Sequence, residues 1–264
     1  MRKNGPLSLL FHALFIVFMV APLLMVVAVS FTGKGYISMP TDGFSLRWFR
    51  AIADAHEIVD AFWLSLTLGL SSATIAVALA VPAALALVRH RFPGRGALMA
   101  FFLSPLMIPH VVLGVAFLRF FTTLGVTGSF FWLALTHVVV VMPYALRLVL
   151  AAATGLDRDA ERAALSLGAS RFTAFRRVVL PLILPGVVGG WMLAFIQSFD
   201  ELTMTVFVAT PGTTTLPVAM YNQIAQTIDP LVASVSTVLI VGTLVLMVLL
   251  DRIVGLDRVL IGKN

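Results

Sequence analysis

Asp200 and Glu201 lie inside a run of apolar residues, Leu182 to Val208, where a carboxylate has a strong chemical reason to find a partner. An Asp at the centre of a membrane span costs about 2.5–3.5 kcal/mol on insertion scales, so a compensating cation or contact is expected. Counted from Gly186 at about 1.5 Å per residue, Asp200 falls roughly 21 Å into a hydrocarbon core of about 30 Å. Helix neighbours diverge by about 100°, so at most one of the two carboxylates faces a pathway, and Gln197 shares a face with either. Attraction of a cationic solute is one reading of this group. An ion pair with another subunit, or a contact that holds a bundle together, is the other. Further chemistry is scarce. Cys is absent, and the five His show no metal-ligand spacing. Gly33-Lys34-Gly35 lacks the spacing of a phosphate loop, so ATP hydrolysis is not expected on this chain. His110 and His137 sit in apolar runs with no carboxylate nearby in sequence, which suits hydrogen-bonded packing residues better than a proton relay.

A second constellation is polar. Residues 157–181 read as two short helices with a break: Asp157 caps the first, Gly168 supplies the left-handed residue that ends it, Ser170 caps the second, and Pro181 stops it. Leu165, Leu167, Phe172 and Phe175 give this segment more apolar surface than a connector needs. It is expected to dock on another protein, with a pair of helices on the lipid interface as the alternative.

The elements that must carry these residues follow from composition. Of 264 residues, 60% are hydrophobic and 11% charged, which excludes an ordinary soluble domain. Backbone groups in lipid must be satisfied internally, and no short alternating strands are present, so the fold class is all-α integral membrane. Six runs are long enough to span: 7–31, 62–88, 98–121, 130–152, 182–208 and 231–253. Ala28-Val29-Ser30 resembles a signal-peptidase site, but the apolar run before it is too long, and a retained helix is expected. Pro22, Pro82, Pro105, Pro109 and Pro143 read as helix kinks. Pro185-Gly186 and Gly189-Gly190 permit either bending or close helix contact. Placing the N-terminus in the cytoplasm puts 14 of the Lys and Arg on one side and 4 on the other, so both termini and the 154–181 loop are expected inside. Trp48, Trp63 and Trp132 then sit near the outer interface. The net charge of +6 reflects this orientation rather than a nucleic-acid partner. On the outer side, Pro217 to Ile228 is expected to form a short amphipathic helix with Met220, Ile224 and Ile228 on one face, touching a secreted protein or covering the bundle ends.

The polar loop resembles the signature of binding-protein-dependent permeases of ATP-binding-cassette (ABC) importers: Glu-Ala-Ala, three residues, Gly, nine residues, Ile-x-Leu-Pro. Ala163, Ala164, Gly168, Leu180 and Pro181 match. Val178 departs mildly, and Arg162 stands at the Glu position with Glu161 one residue before it. Phe44 to Phe49, Leu103 to Pro109 and Ser198 to Glu201 resemble the spermidine/putrescine branch. The resemblance implies a single six-helix, type I permease domain over 1–264, in a bacterial inner membrane. It implies a second permease subunit, two ATPase subunits that hold ATP and Mg, and a periplasmic binding protein. Glu161, Arg162, Ala163, Ala164, Gly168, Leu180 and Pro181 are then the ATPase-coupling residues, and Gln197, Asp200 and Glu201 line the pathway. Polyamine is the expected cargo. Another organic cation, ferric iron or a phosphonate, a secondary transporter, and a non-transporting membrane subunit are the competing readings.

Overall fold

The computed structural model describes residues 5–41, 43–227 and 229–254. Among them are helices, turns and loops but no strand. Five helical segments are long and apolar enough to cross a membrane: Pro6–Ser30, His56–Arg89, Phe130–Thr154, Arg171–Phe199 and Leu231–Val248. In chain order the α-helices are α1 (Pro6–Ser30), α2 (Arg47–Asp54), α3 (His56–Arg89), α4 (Arg95–Leu103), α5 (His110–Leu124), α6 (Phe130–Thr154), α7 (Arg158–Ser166), α8 (Arg171–Ala174), α9 (Leu180–Phe199), α10 (Thr205–Val208), α11 (Leu216–Gln226) and α12 (Leu231–Val254). The all-α expectation is met.

Two of the expected spans have a different form. The third is broken: α4 and a 3-10 turn, Ser104–Leu106, meet α5 at 97°. Pro105 and Pro109 are the reason, because each removes a backbone donor and each disfavours helical dihedrals in the residue before it. They therefore make a break here, whereas Pro22, Pro82 and Pro143 lie inside continuous helices. The fifth span begins earlier and ends earlier than 182–208. Pro181 does not stop the helix, since a π-helical turn, Phe175–Val179, joins α8 to α9 and accommodates the proline just beyond it. At the other end the helix stops at Phe199, so Asp200 and Glu201 lie beyond its last turn.

The chain divides into two compact units. The larger comprises Ala61–Val218 and the described residues from Leu250 to Val254, and its core is built of small residues. Ala73, Ala76, Ala80 and Ala84 make a helical stripe on α3 that is wholly buried in one cluster with Val141, Ala145 and Val149 of α6 and Ile183 and Ala194 of α9. Small side chains let backbones approach, which is the main source of helix attraction where lipid is as apolar as the helix surface. Gly186 and Gly190 serve this close contact. A Cβ on Gly186 would lie 2.5 Å from the Ala152 Cβ and 2.8 Å from the Leu148 carbonyl oxygen, and one on Gly190 would lie 3.1 Å from the Ala145 carbonyl oxygen. Of the two roles open to these glycines, close packing against α6 is the one observed.

The smaller unit comprises the described parts of Met1–Asp60 and Ala219–Leu249. Ser234 on α12 donates to the Ser30 carbonyl at the end of α1 (3.2 Å), both side chains being buried. Trp48 donates its ring N–H to the Lys34 carbonyl (3.0 Å), fixing the loop before α2. Most of α1 is exposed apolar surface, as a lipid-facing helix requires. The helix expected over 217–228 is α11, although Ile224 is 49% exposed and Ile228 lies outside the described residues.

Candidate functional site

The loop between α6 and α9 is built from local caps. Asp157 accepts the Asp159 N–H (2.9 Å) at the start of α7, and Ser170 accepts the Thr173 N–H (3.2 Å) at the start of α8. Between them, Gly168 has φ +88°, a conformation that costs an L side chain about 1–2 kcal/mol. The Gly168 N–H bonds to the Leu165 carbonyl and the Ala169 N–H to the Ala164 carbonyl, the pairing of a Schellman ending. The capping roles of Asp157, Gly168 and Ser170 are therefore as expected.

Tertiary contacts that sequence reasoning missed tie this loop to α3. Arg89, the last residue of α3, pairs with Glu161 at 2.8 Å, and Arg158 donates to the Val88 carbonyl at 2.9 Å. Basic side chains at a helix C-terminus satisfy its last carbonyls and its dipole, so an Arg ending an apolar run was the available signal. Glu161 is thereby turned inward, within this chain. Facing outward are Arg162, paired at 3.3 Å with Asp159, and Ala163. Leu167 (89% exposed) and Phe172 (70%) give this surface its apolar character. Ala164 is half-buried and Gly168 exposed. Leu180 and Pro181 follow the π turn rather than ending a helix.

The carboxylates at 200 and 201 occupy a junction between α9 and α10. Asp200 is exposed, with no polar side-chain partner among the described residues. Glu201 is only 7% exposed and both of its oxygens are engaged. Oε1 accepts the Met204 N–H (2.7 Å), and Oε2 accepts from Nδ1 of His110 (2.7 Å), the first residue of α5. His110 does have a carboxylate beside it, one brought from 91 positions along the chain, which no local reading of sequence could place. His137 on α6 is completely buried, with Nδ1 2.8 Å from Ser198 Oγ and Nε2 3.1 Å from Thr205 Oγ1. A neutral imidazole offers one donor and one acceptor, and a hydroxyl supplies either match, so this ring bridges the residues flanking the junction. Gly114 brings α5 against the same segment, since a Cβ there would lie 2.9 Å from the Met204 carbonyl oxygen. Gln197 is half-buried on the last turn of α9. The two carboxylates, expected to diverge as neighbours on a helix, both lie beyond the end of α9, and there one is exposed and the other buried.

The chain belongs to the family described as binding-protein-dependent transport system inner membrane component, whose model matches residues 76–256. It is 30% identical to the spermidine/putrescine transport system permease protein PotC of Escherichia coli (strain K12), over 90% of this chain and 89% of that one. It is 34% identical, over 91% of each chain, to PhnV of Salmonella paratyphi A, a permease protein named for 2-aminoethylphosphonate transport. In fold it resembles a chain of a bacterial ABC transporter involved in the import of the acidic polysaccharide alginate, with a TM-score of 0.72, 12% identity, and coverage of 96% and 98%.

Proposed function

We propose that the chain forms half of the pathway of a bacterial inner-membrane importer of linear polyamines. In this reading it pairs with a second permease subunit, receives cargo from a periplasmic binding protein, and is driven by two ATPase subunits that hold ATP and Mg. The ATPase docks on the 157–181 loop, where exposed Leu167 and Phe172 give an apolar contact and the Schellman ending at Gly168 sets the turn. The loop is anchored to α3 and continuous with α9, so a push on it moves both. The termini and this loop face the cytoplasm. A Cys introduced at position 170 is expected to react only from inside and one at position 43 only from outside, a clean test because the chain has no Cys.

One observation carries the cargo assignment: the exposed Asp200 carboxylate beyond the interrupted end of α9. Irregular backbone at membrane depth is tolerated where it is buried in protein or lines a watery cavity, and an unpaired carboxylate there attracts an ammonium group. The name of PotC supports polyamine in particular. The name of PhnV favours a second reading, 2-aminoethylphosphonate, which also carries one ammonium group. Uptake of radiolabelled putrescine, spermidine and 2-aminoethylphosphonate by the reconstituted complex separates the two. Polyamine uptake that falls sharply in Asp200→Asn, with assembly intact, is the expected result. Undiminished uptake in that variant, or uptake of the phosphonate alone, would refute it.

A further inference from the structure

Glu201 and His110 join two interruptions that are distant in sequence. α5 starts at His110, directly after the bend at Pro105 to Pro109, and Glu201 lies two residues past Phe199, the last residue of α9. A buried carboxylate is tolerated when its oxygens are hydrogen-bonded, and here one holds the turn that restarts the chain while the other holds α5. With His137 bridging Ser198 to Thr205 and Gly114 seated on Met204, the junction is clamped from α5 and from α6. The clamp leaves Asp200 and Thr203 exposed, and of the two only Asp200 carries a charge.

We propose that Glu201 is a positioning residue rather than a ligand for cargo: with His110 it braces the junction so that Asp200 alone, from this chain, meets an ammonium group. This inference rests on the polyamine reading for its transport arm. It also narrows that reading, since one carboxylate engages one ammonium end of the cargo and the remaining cationic groups must find partners elsewhere.

The test separates charge from geometry. Gln at 201 keeps an acceptor for the Met204 N–H and a polar group for His110 but has no charge, whereas Ala keeps none of these. In the reconstituted complex, Glu201→Ala and Asp200→Asn are each expected to raise the KM for putrescine about tenfold, and Glu201→Gln to keep it within about twofold of wild type. Asp200→Asn combined with Glu201→Ala should be no worse in KM than Asp200→Asn alone, because both act through one contact. Thermal unfolding of the purified complex gives a readout independent of cargo. Glu201→Ala and His110→Ala should each lower the midpoint by a few degrees, non-additively when combined, with Glu201→Gln close to wild type. If Glu201→Gln raises KM as much as Glu201→Ala, the charge itself meets cargo and the inference is wrong. An unchanged KM in Glu201→Ala rejects it too. If wild type takes up neither putrescine nor spermidine, the polyamine reading fails by itself, and the unfolding series still decides the brace.

Discussion

The loop at 157–181 and the junction at 199–205 both interrupt helices, and their helix ends are satisfied differently. In the loop each exposed end is satisfied by a side chain or carbonyl within five residues: Asp157 for Asp159, Ser170 for Thr173, Ala164 for Ala169. At the junction Glu201 caps the Met204 N–H locally, but the other side-chain partners come from far along the chain, with His110 reaching Glu201 and His137 reaching both Ser198 and Thr205. The difference follows from surroundings. An exposed loop has water as a fallback, so local caps suffice. The buried side of the junction has none, so the polar groups on that side are met by protein.

If that contrast is right, substitutions at the junction should damage the fold and substitutions in the loop should damage coupling. The largest effect is expected for Gly114→Val. Its Cβ would lie 2.9 Å from the Met204 carbonyl and 2.7 Å from the Phe207 ring, and backbone cannot move aside cheaply. A loss of roughly 3 kcal/mol or more is expected, seen as aggregation on size-exclusion chromatography in detergent. His137→Ala follows, leaving Ser198 and Thr205 unpaired around a cavity. About 2–3 kcal/mol should be lost, measured as a lower unfolding midpoint. In the loop, Gly168→Asp places a side chain at φ +88° with nothing within 4 Å to clash, so only about 1–2 kcal/mol of local strain is expected. That variant should assemble normally yet hydrolyse ATP without transporting, and normal transport would break the comparison. The smallest effect is expected for Asp157→Ala, about 1 kcal/mol from a lost cap, detectable as faster amide exchange confined to α7.

What was legible in the sequence divides along the same line. The apolar runs gave α1, α3, α6 and α12 because lipid permits little else for such segments, and the caps at Asp157, Gly168 and Ser170 were readable because their partners are close in the chain. Pro105 and Pro109 were visible, yet a kink and a right-angled break have the same residues, and tertiary packing decides between them. The early end of α9 was hidden because Leu202 to Val208 is as apolar as the helix before it. Past its end the Glu201 carboxylate caps the next turn and bonds to His110, and the second of these is a long-range event. Arg89 and Glu161 were each read separately, one as an orientation signal and one as a docking group, and their pairing needed the third dimension.

The π turn at Phe175–Val179 has a consequence for phase. Such a turn holds one residue more than an α-turn, so side chains after it are rotated by about 100° from where an uninterrupted helix would carry them. A helical wheel drawn from Arg171 straight through to Phe199 therefore misassigns one half or the other, and Gly186 and Gly190 would not fall on the face that meets α6. The surplus residue also confers tolerance. Deleting one residue between 176 and 178 exchanges the π turn for an α-turn and leaves both flanking faces in phase, whereas the same deletion between 181 and 185 swings one half off its partner. The junction of the 157–181 loop with α9 is thus a place where this chain can change length by one residue and keep both of its surfaces.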